Sequence, residues 1–177
     1  EVFAWAAAQT GVTYVEPNFV FTSTATYPND IDFDQLWGLH NTGQLGGTPD
    51  ADIDAPEAWD VTTGSRSVVI AVIDSGVDYT HEDLADNIWV NPGEVPGDGI
   101  DNDGNGYVDD IYGWDFAAGD ADPMDVDGHG THVAGTIGAS ADNGIGISGV
   151  AWDVQIMALK GLNDIGTGSS ADLLAAV

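Results

Sequence analysis

The chain has 177 residues and a formal net charge of −28 at pH 7, with two basic side chains, Arg66 and Lys160, against thirty carboxylates. That balance excludes nucleic acid, whose phosphates nothing here could neutralise, and anionic membrane surfaces, which recruit clusters of Lys and Arg. With 43% hydrophobic residues and six Trp the chain can build a core instead of staying disordered. The absence of Cys removes disulfides and thiolate metal sites. The length suits one domain or part of one. Asp outnumbers Glu twenty-five to five. A solvated helical surface would favour Glu, so Asp together with 24 Gly points to turns and metal-binding loops.

Near the start, a short helical piece precedes Val12-Thr13-Tyr14-Val15, which has strand composition and is closed by Pro17. Residues 22–66 are polar and rich in turn formers, and Pro56 is placed to open a short helix. Ser67 to Asp74 is almost continuously apolar and β-branched, which predicts a strand buried on both faces. It ends in Asp74-Ser75-Gly76, so an ionisable side chain stands at the C-terminal end of a parallel strand, where α/β sheets place their chemistry. Residues 94–110 are too rich in Gly, Asp and Asn for a helix or ordinary strand. A short strand is expected within Ile111–Phe116 and a helix of small residues over His129–Ala139. Gln155–Leu159 reads as a second buried strand, and a further helix begins at Ser170 with Ser169 or Ser170 as N-cap. Strand, helix, strand, helix implies an α/β fold with a mainly parallel sheet. No run approaches the roughly 18 apolar residues of a membrane-spanning helix, and the first residues lack the basic and apolar regions of a signal peptide. Both ends are expected to be cut from a longer chain.

Three groups of residues carry chemistry. Asp74 and His129 suit a couple in which a carboxylate fixes an imidazole and stabilises its charged form. A rival reading joins Asp74 to His129 and His132 as zinc ligands, although His-Gly-Thr-His lacks the Glu of a zincin motif. Asp101-Asn102-Asp103-Gly104-Asn105-Gly106-Tyr107-Val108-Asp109-Asp110 follows the logic of a calcium loop. Asp101, Asp103 and Asn105 stand at positions 1, 3 and 5, Gly106 at 6, the Tyr107 carbonyl at 7 and Asp109 at 9. Position 12 is Tyr112 in place of Glu, and Asp110 is a candidate for the missing carboxylate.

Two of these segments resemble motifs of the subtilisin-like serine proteases. Val69-Ile70-Ala71-Val72-Ile73-Asp74-Ser75-Gly76-Val77-Asp78 is similar to their Asp-bearing motif, and Gly128-His129-Gly130-Thr131-His132-Val133-Ala134-Gly135-Thr136-Ile137 to their His-bearing motif, in the family's order. The resemblance runs from about Pro28 to Val177. It implies a subtilisin-like three-layer fold, with Asp74 orienting His129 as general base and His132 merely packed. The family's Gly-Thr-Ser-Met-Ala motif is absent from the chain, and none of its eight serines sits in such a context. The oxyanion-hole Asn of the family is absent too. The resemblance implies that both lie beyond the end of the chain and that the domain is truncated at its C-terminus. The chain by itself is then expected not to cleave casein, and turnover abolished by His129→Ala would contradict this.

Further roles rest on the same resemblance. Lys160-Gly161-Leu162 and Gly166-Thr167-Gly168 resemble the segment that pairs with bound peptide, a form of β-augmentation, with Leu162, Gly166, Thr167 and Gly168 as the implied substrate contacts. Asp83, the Asn143 side chain and the carbonyls of Ile145 and Ile147 match the family's tight calcium site. Residues 1–21 resemble the end of an inhibitory propeptide, 22–66 the N-terminal extension of a mature enzyme, and 67–177 the first part of a catalytic domain. A propeptide and an extracellular calcium supply imply secretion. Two functional expectations follow: a calcium-dependent, secreted endopeptidase acting on proteins or peptides, or a non-catalytic calcium-binding module that kept the scaffold.

Overall fold

A computed structural model of the chain describes residues 10, 11 and 25–177. The helical piece and the Val12–Val15 strand expected near the start lie outside the described residues.

Three strands, β1 (Gly64–Asp74), β2 (Gly113–Asp115) and β3 (Asp153–Lys160), form a parallel sheet in the spatial order β1-β3-β2. The register pairs Val72 with Ala158 and runs on to Asp74 opposite Lys160, and it sets Asp115 opposite Lys160 from the other side. Asp74, Lys160 and Asp115 therefore share one row at the C-terminal edge of the sheet. Among the described residues three α-helices accompany it: α1 (Ala55–Trp59), α2 (His129–Gly138) and α3 (Ser170–Ala175). Pro56 lies in the first turn of α1, as its missing N–H and fixed φ favour. Ser169 caps α3: its hydroxyl accepts from Asp172 N, and the Asp172 carboxylate accepts from Ser169 N.

Helix α2 lies against one face of β1 and β3. Val72, Val77, Leu84, Ile88, Ala134, Val154, Ile156 and Ala158 form the core beneath it. The small residues of α2 permit this contact, since a Cβ on Gly138 would stand 2.5 Å from a Val154 methyl. β3 alternates in burial, with Val154, Ile156, Ala158 and Lys160 turned inward. β1 differs from its expectation. Within it Val72 alone is buried, while Val68 and Val69 are exposed. Its apolar run suited two covered faces, but β1 is an edge strand here and only the face carrying Ile70 and Val72 meets α2. Residues 94–110 form turns, as expected.

Residues preceding the sheet attach through a second cluster of Phe33, Leu39, Ala55 and Trp59, packed against Leu36 and Trp152. The Trp59 indole N–H donates to the Val150 carbonyl at 2.9 Å, and its ring lies 4.8 Å from that of Trp152. No helix among the described residues is long and apolar enough to cross a membrane.

Candidate active site

Asp74 ends β1 and His129 opens α2, and the packing of α2 on the sheet brings them together. His129 Nδ1 lies 2.7 Å from Asp74 Oδ1 and 2.9 Å from Oδ2. The His129 side chain is 65% exposed, the Asp74 side chain 13%. The hydrogen bond and charge of Asp74 raise the His129 pKa above that of an ordinary histidine, and Asp127 and Asp125 add to it. The remaining nitrogen, Nε2, has no hydrogen-bond partner among the described residues and belongs to a largely exposed side chain. Gly130 makes the approach possible, because a Cβ there would meet the Gly76 carbonyl at 2.0 Å.

The first turn of α2 finds partners outside the helix for its orphan amides. Gly130 N donates to Ser75 Oγ at 3.0 Å. Thr131 N and Oγ1 donate to Asp125 Oδ2 at 2.9 and 2.6 Å. Ser75 Oγ, Asp127 N and Gly128 N donate to Asp125 Oδ1. Burial opposes ionisation of Asp125, yet these hydrogen bonds outweigh it and hold its pKa below the usual carboxylate range. Asp125 thus links the residue beside Asp74 to the turn that carries His129. Sequence reasoning missed it, although a carboxylate just ahead of a helix start was a capping signal.

The expected substrate segment leaves β3 beside this pair. Gly161 N and Leu162 N both donate to the Asp74 carbonyl. Asn163 closes the loop that follows: its N donates to the Thr167 carbonyl, and its Oδ1 accepts from Ile165 N, Thr167 N and Thr167 Oγ1. Gly166 approaches Asp127, whose Oδ2 is 3.4 Å from where its Cβ would be. Gly168 packs on the Gly161 carbonyl. His132, expected to be packed, is exposed and lines a hollow with His81 and Leu84. It does not converge with His129 and Asp74 as zinc ligands would.

Glu94, Asp101 and Asp103 bring carboxylate oxygens within 4.8 Å of one another, a cluster that could hold a metal ion. Asp103 and Asp110 are bridged by the side-chain amides of Asn91 and Asn105. Burial raises the Asp110 pKa, whereas amides from Gly106, Gly104 and Asn105 lower that of Asp101. The Tyr107 ring packs on Trp114 and Phe116, and Tyr107 N donates to Asn105 Oδ1. Asp109 turns elsewhere, accepting from Gly97 N and Gly99 N. Glu94 was not anticipated. It lies seven residues ahead of the loop and is recruited by the chain's return, accepting from Asn102, Asp103 and Asp109 amides.

The other expected metal residues also meet. Buried Asp83 accepts from Asn143 Nδ2 and Ile147 N, each at 2.9 Å. Asn143 Oδ1 accepts from Ile145 N. Gly146 presses close enough that a Cβ would stand 2.5 Å from Asp83 Oδ2. Beside them lies Asp30, buried and unanticipated, accepting from Asp142 N, Asn143 N, Gly144 N and Ser148 Oγ.

Known proteins resemble the chain in sequence and fold. The model of the subtilase family matches residues 65–177. A thermophilic serine proteinase of Bacillus sp. (strain AK1) is 38% identical over 94% of this chain and 33% of its own length. Subtilisin-like protease 1 of Plasmodium vivax is 44% identical over 68% of this chain and 20% of its own. A crystal structure of the Aeromonas sobria serine protease in complex with its chaperone superposes with a TM-score of 0.64 at 27% identity, over 97% of this chain and 26% of that one. The chain spans a third or less of the length of these relatives. With its Asp and His motifs joined at the edge of a parallel sheet, the chain belongs to the subtilase family.

Proposed function

We propose that this chain supplies the Asp–His half of the catalytic site of a secreted, calcium-stabilised serine endopeptidase. The observation that carries the reading is the 2.7 Å contact of His129 Nδ1 with Asp74, which leaves Nε2 free at an exposed edge. Asp74 holds the Nδ1–H tautomer and stabilises the imidazolium. His129 Nε2 takes the proton of a serine hydroxyl as its oxygen attacks a peptide carbonyl. The proton then passes to the leaving amine, and a water activated in the same way releases the acyl group. The serine and the oxyanion-hole Asn are assigned to the remainder of the protein. The loop of Leu162, Gly166, Thr167 and Gly168 would pair with an extended protein or peptide substrate beside His129.

Calcium fits both acidic sites by donor chemistry, since hard oxygens suit it. Glu94, Asp101, Asp103, Asn105, Asp110 and the Tyr107 carbonyl would hold one ion, with Asp109 shaping the turn. Asp83, Asn143 and the carbonyls of Ile145 and Ile147 would hold another. The ion supplies positive charge that relieves carboxylate repulsion and ties loops together. Residues 1–21 are assigned to an inhibitory propeptide, in keeping with an exported protein.

Labelling of the full-length protein by a serine-directed fluorophosphonate tests the reading. Labelling that disappears in His129→Ala is expected. A full-length protein that takes no label would overturn the protease and leave the calcium-binding module.

A further inference from the structure

Lys160 is one of two basic side chains in the molecule, and it is 4% exposed. It ends β3 in the row of Asp74 and Asp115. Its ammonium donates to the Met124 carbonyl at 2.9 Å and to Asp164 Oδ1 at 2.5 Å, with Asp115 Oδ2 at 3.6 Å. These partners lie on three separate segments. Asp115 ends β2. Asp164 sits in the loop that Asn163 closes, expected to meet substrate. Met124 immediately precedes Asp125, the carboxylate that caps the helix of His129. The segment before Met124 is held too, since Val77 N donates to the Pro123 carbonyl. Burial works against the charge on Lys160, but Asp164 and Asp115 outweigh it and raise its pKa. A buried cation with carboxylates and a carbonyl around it is costly to break, because each partner left behind loses its compensation.

We propose that Lys160 is a positioning residue that ties the substrate loop to the segment presenting Asp125, so that the peptide-binding strand and His129 keep one mutual geometry. The inference rests on the protease reading for its consequence and on geometry alone for the tie. Two measurements on the full-length protein separate them.

Hydrogen exchange reads the tie without activity. Lys160→Met should speed exchange about tenfold or more at Asn163, Thr167, Gly128 and Thr131, while Val154 to Ala158 of β3 stay protected. Asp164→Asn leaves the buried groups in place and is the variant that folds in any event. It should speed exchange at Asn163 and Thr167 and leave Gly128 and Thr131 as they were. Unchanged exchange in both loops of Lys160→Met, or a rise spread equally over β3, would overturn the proposal.

Kinetics read the consequence. Lys160→Met should raise KM for an extended peptide about tenfold, lower turnover of a short substrate that does not reach the loop by much less, and be rescued in part by Lys160→Arg. Equal losses on both substrates would overturn the positioning role. A wild-type protein that cleaves neither substrate would overturn the protease reading, and exchange would still decide the tie.

Discussion

His129 depends on Asp74 for both its orientation and its charge. The hydrogen bond and charge of Asp74 favour the imidazolium, so His129 should titrate above the ~6.5 of a free histidine, and Asp74→Asn should bring it down. NMR titration of the His129 ring checks this, and an unmoved pKa in the variant would count against the couple. Because the folded-state pKa is raised, the contact stabilises the fold below the unfolded value and loses that effect as pH rises through the folded one. Catalysis has the opposite preference, since a general base must be neutral. Activity should therefore fall, on acidification, at a pH above that of an ordinary histidine. Asp74 and His129 were legible as candidates because each stands at a recognisable boundary, a strand end and a helix start. Their contact was not, since the two residues stand 55 positions apart and the chain between them must fold back. Glu94 and Asp30 gave no local signal either, as each acquires its role from the way the chain returns to it, and Lys160 stood in a readable substrate segment whose sequence did not show its contacts with Asp115 and Met124.

Helix α2 owes its start to groups from outside itself. Asp125→Ala would strip the cap from Thr131 and strand Ser75 Oγ. A loss of about 1–2 kcal/mol is expected, the scale of a removed N-cap, measurable by urea unfolding of the full-length protein. Since the Asp125 pKa is lowered in the fold, this contribution should be present above the unfolded carboxylate pKa and vanish as pH falls through the folded one. The strand beneath is a second lever. Ile156 is fully buried at the centre of the sheet, so Ile156→Ala should cost about 2–5 kcal/mol through lost contacts and a cavity. Val69→Ala, on the exposed stretch of β1, should cost far less. β3 was readable as a strand from its apolar run, and the structure adds that one of its faces is buried and the other half-open. β1 misled because composition reports which surfaces could be covered, while the neighbouring elements decide which are.

A charge of −28 over 177 residues makes the whole molecule repel itself. Among the described residues, Lys160 gives its charge to Asp115 and Asp164, and Arg66 donates to the neutral Asn87. Raising monovalent salt from low ionic strength should therefore raise Tm, because screening shortens the reach of repulsion to about 10 Å at 0.1 M. EDTA in low-salt buffer should lower Tm by the linkage of bound cation to folding. An unchanged Tm there would remove the calcium assignment. The central claim, that Asp74 and His129 work as one unit on a serine, is tested most directly by casein hydrolysis with the full-length protein and its His129→Ala and Asp74→Asn variants. The account predicts hydrolysis by the wild type and a loss of about a thousandfold or more in each variant, as for other members of such a triad. Hydrolysis that survives His129→Ala undiminished would contradict it.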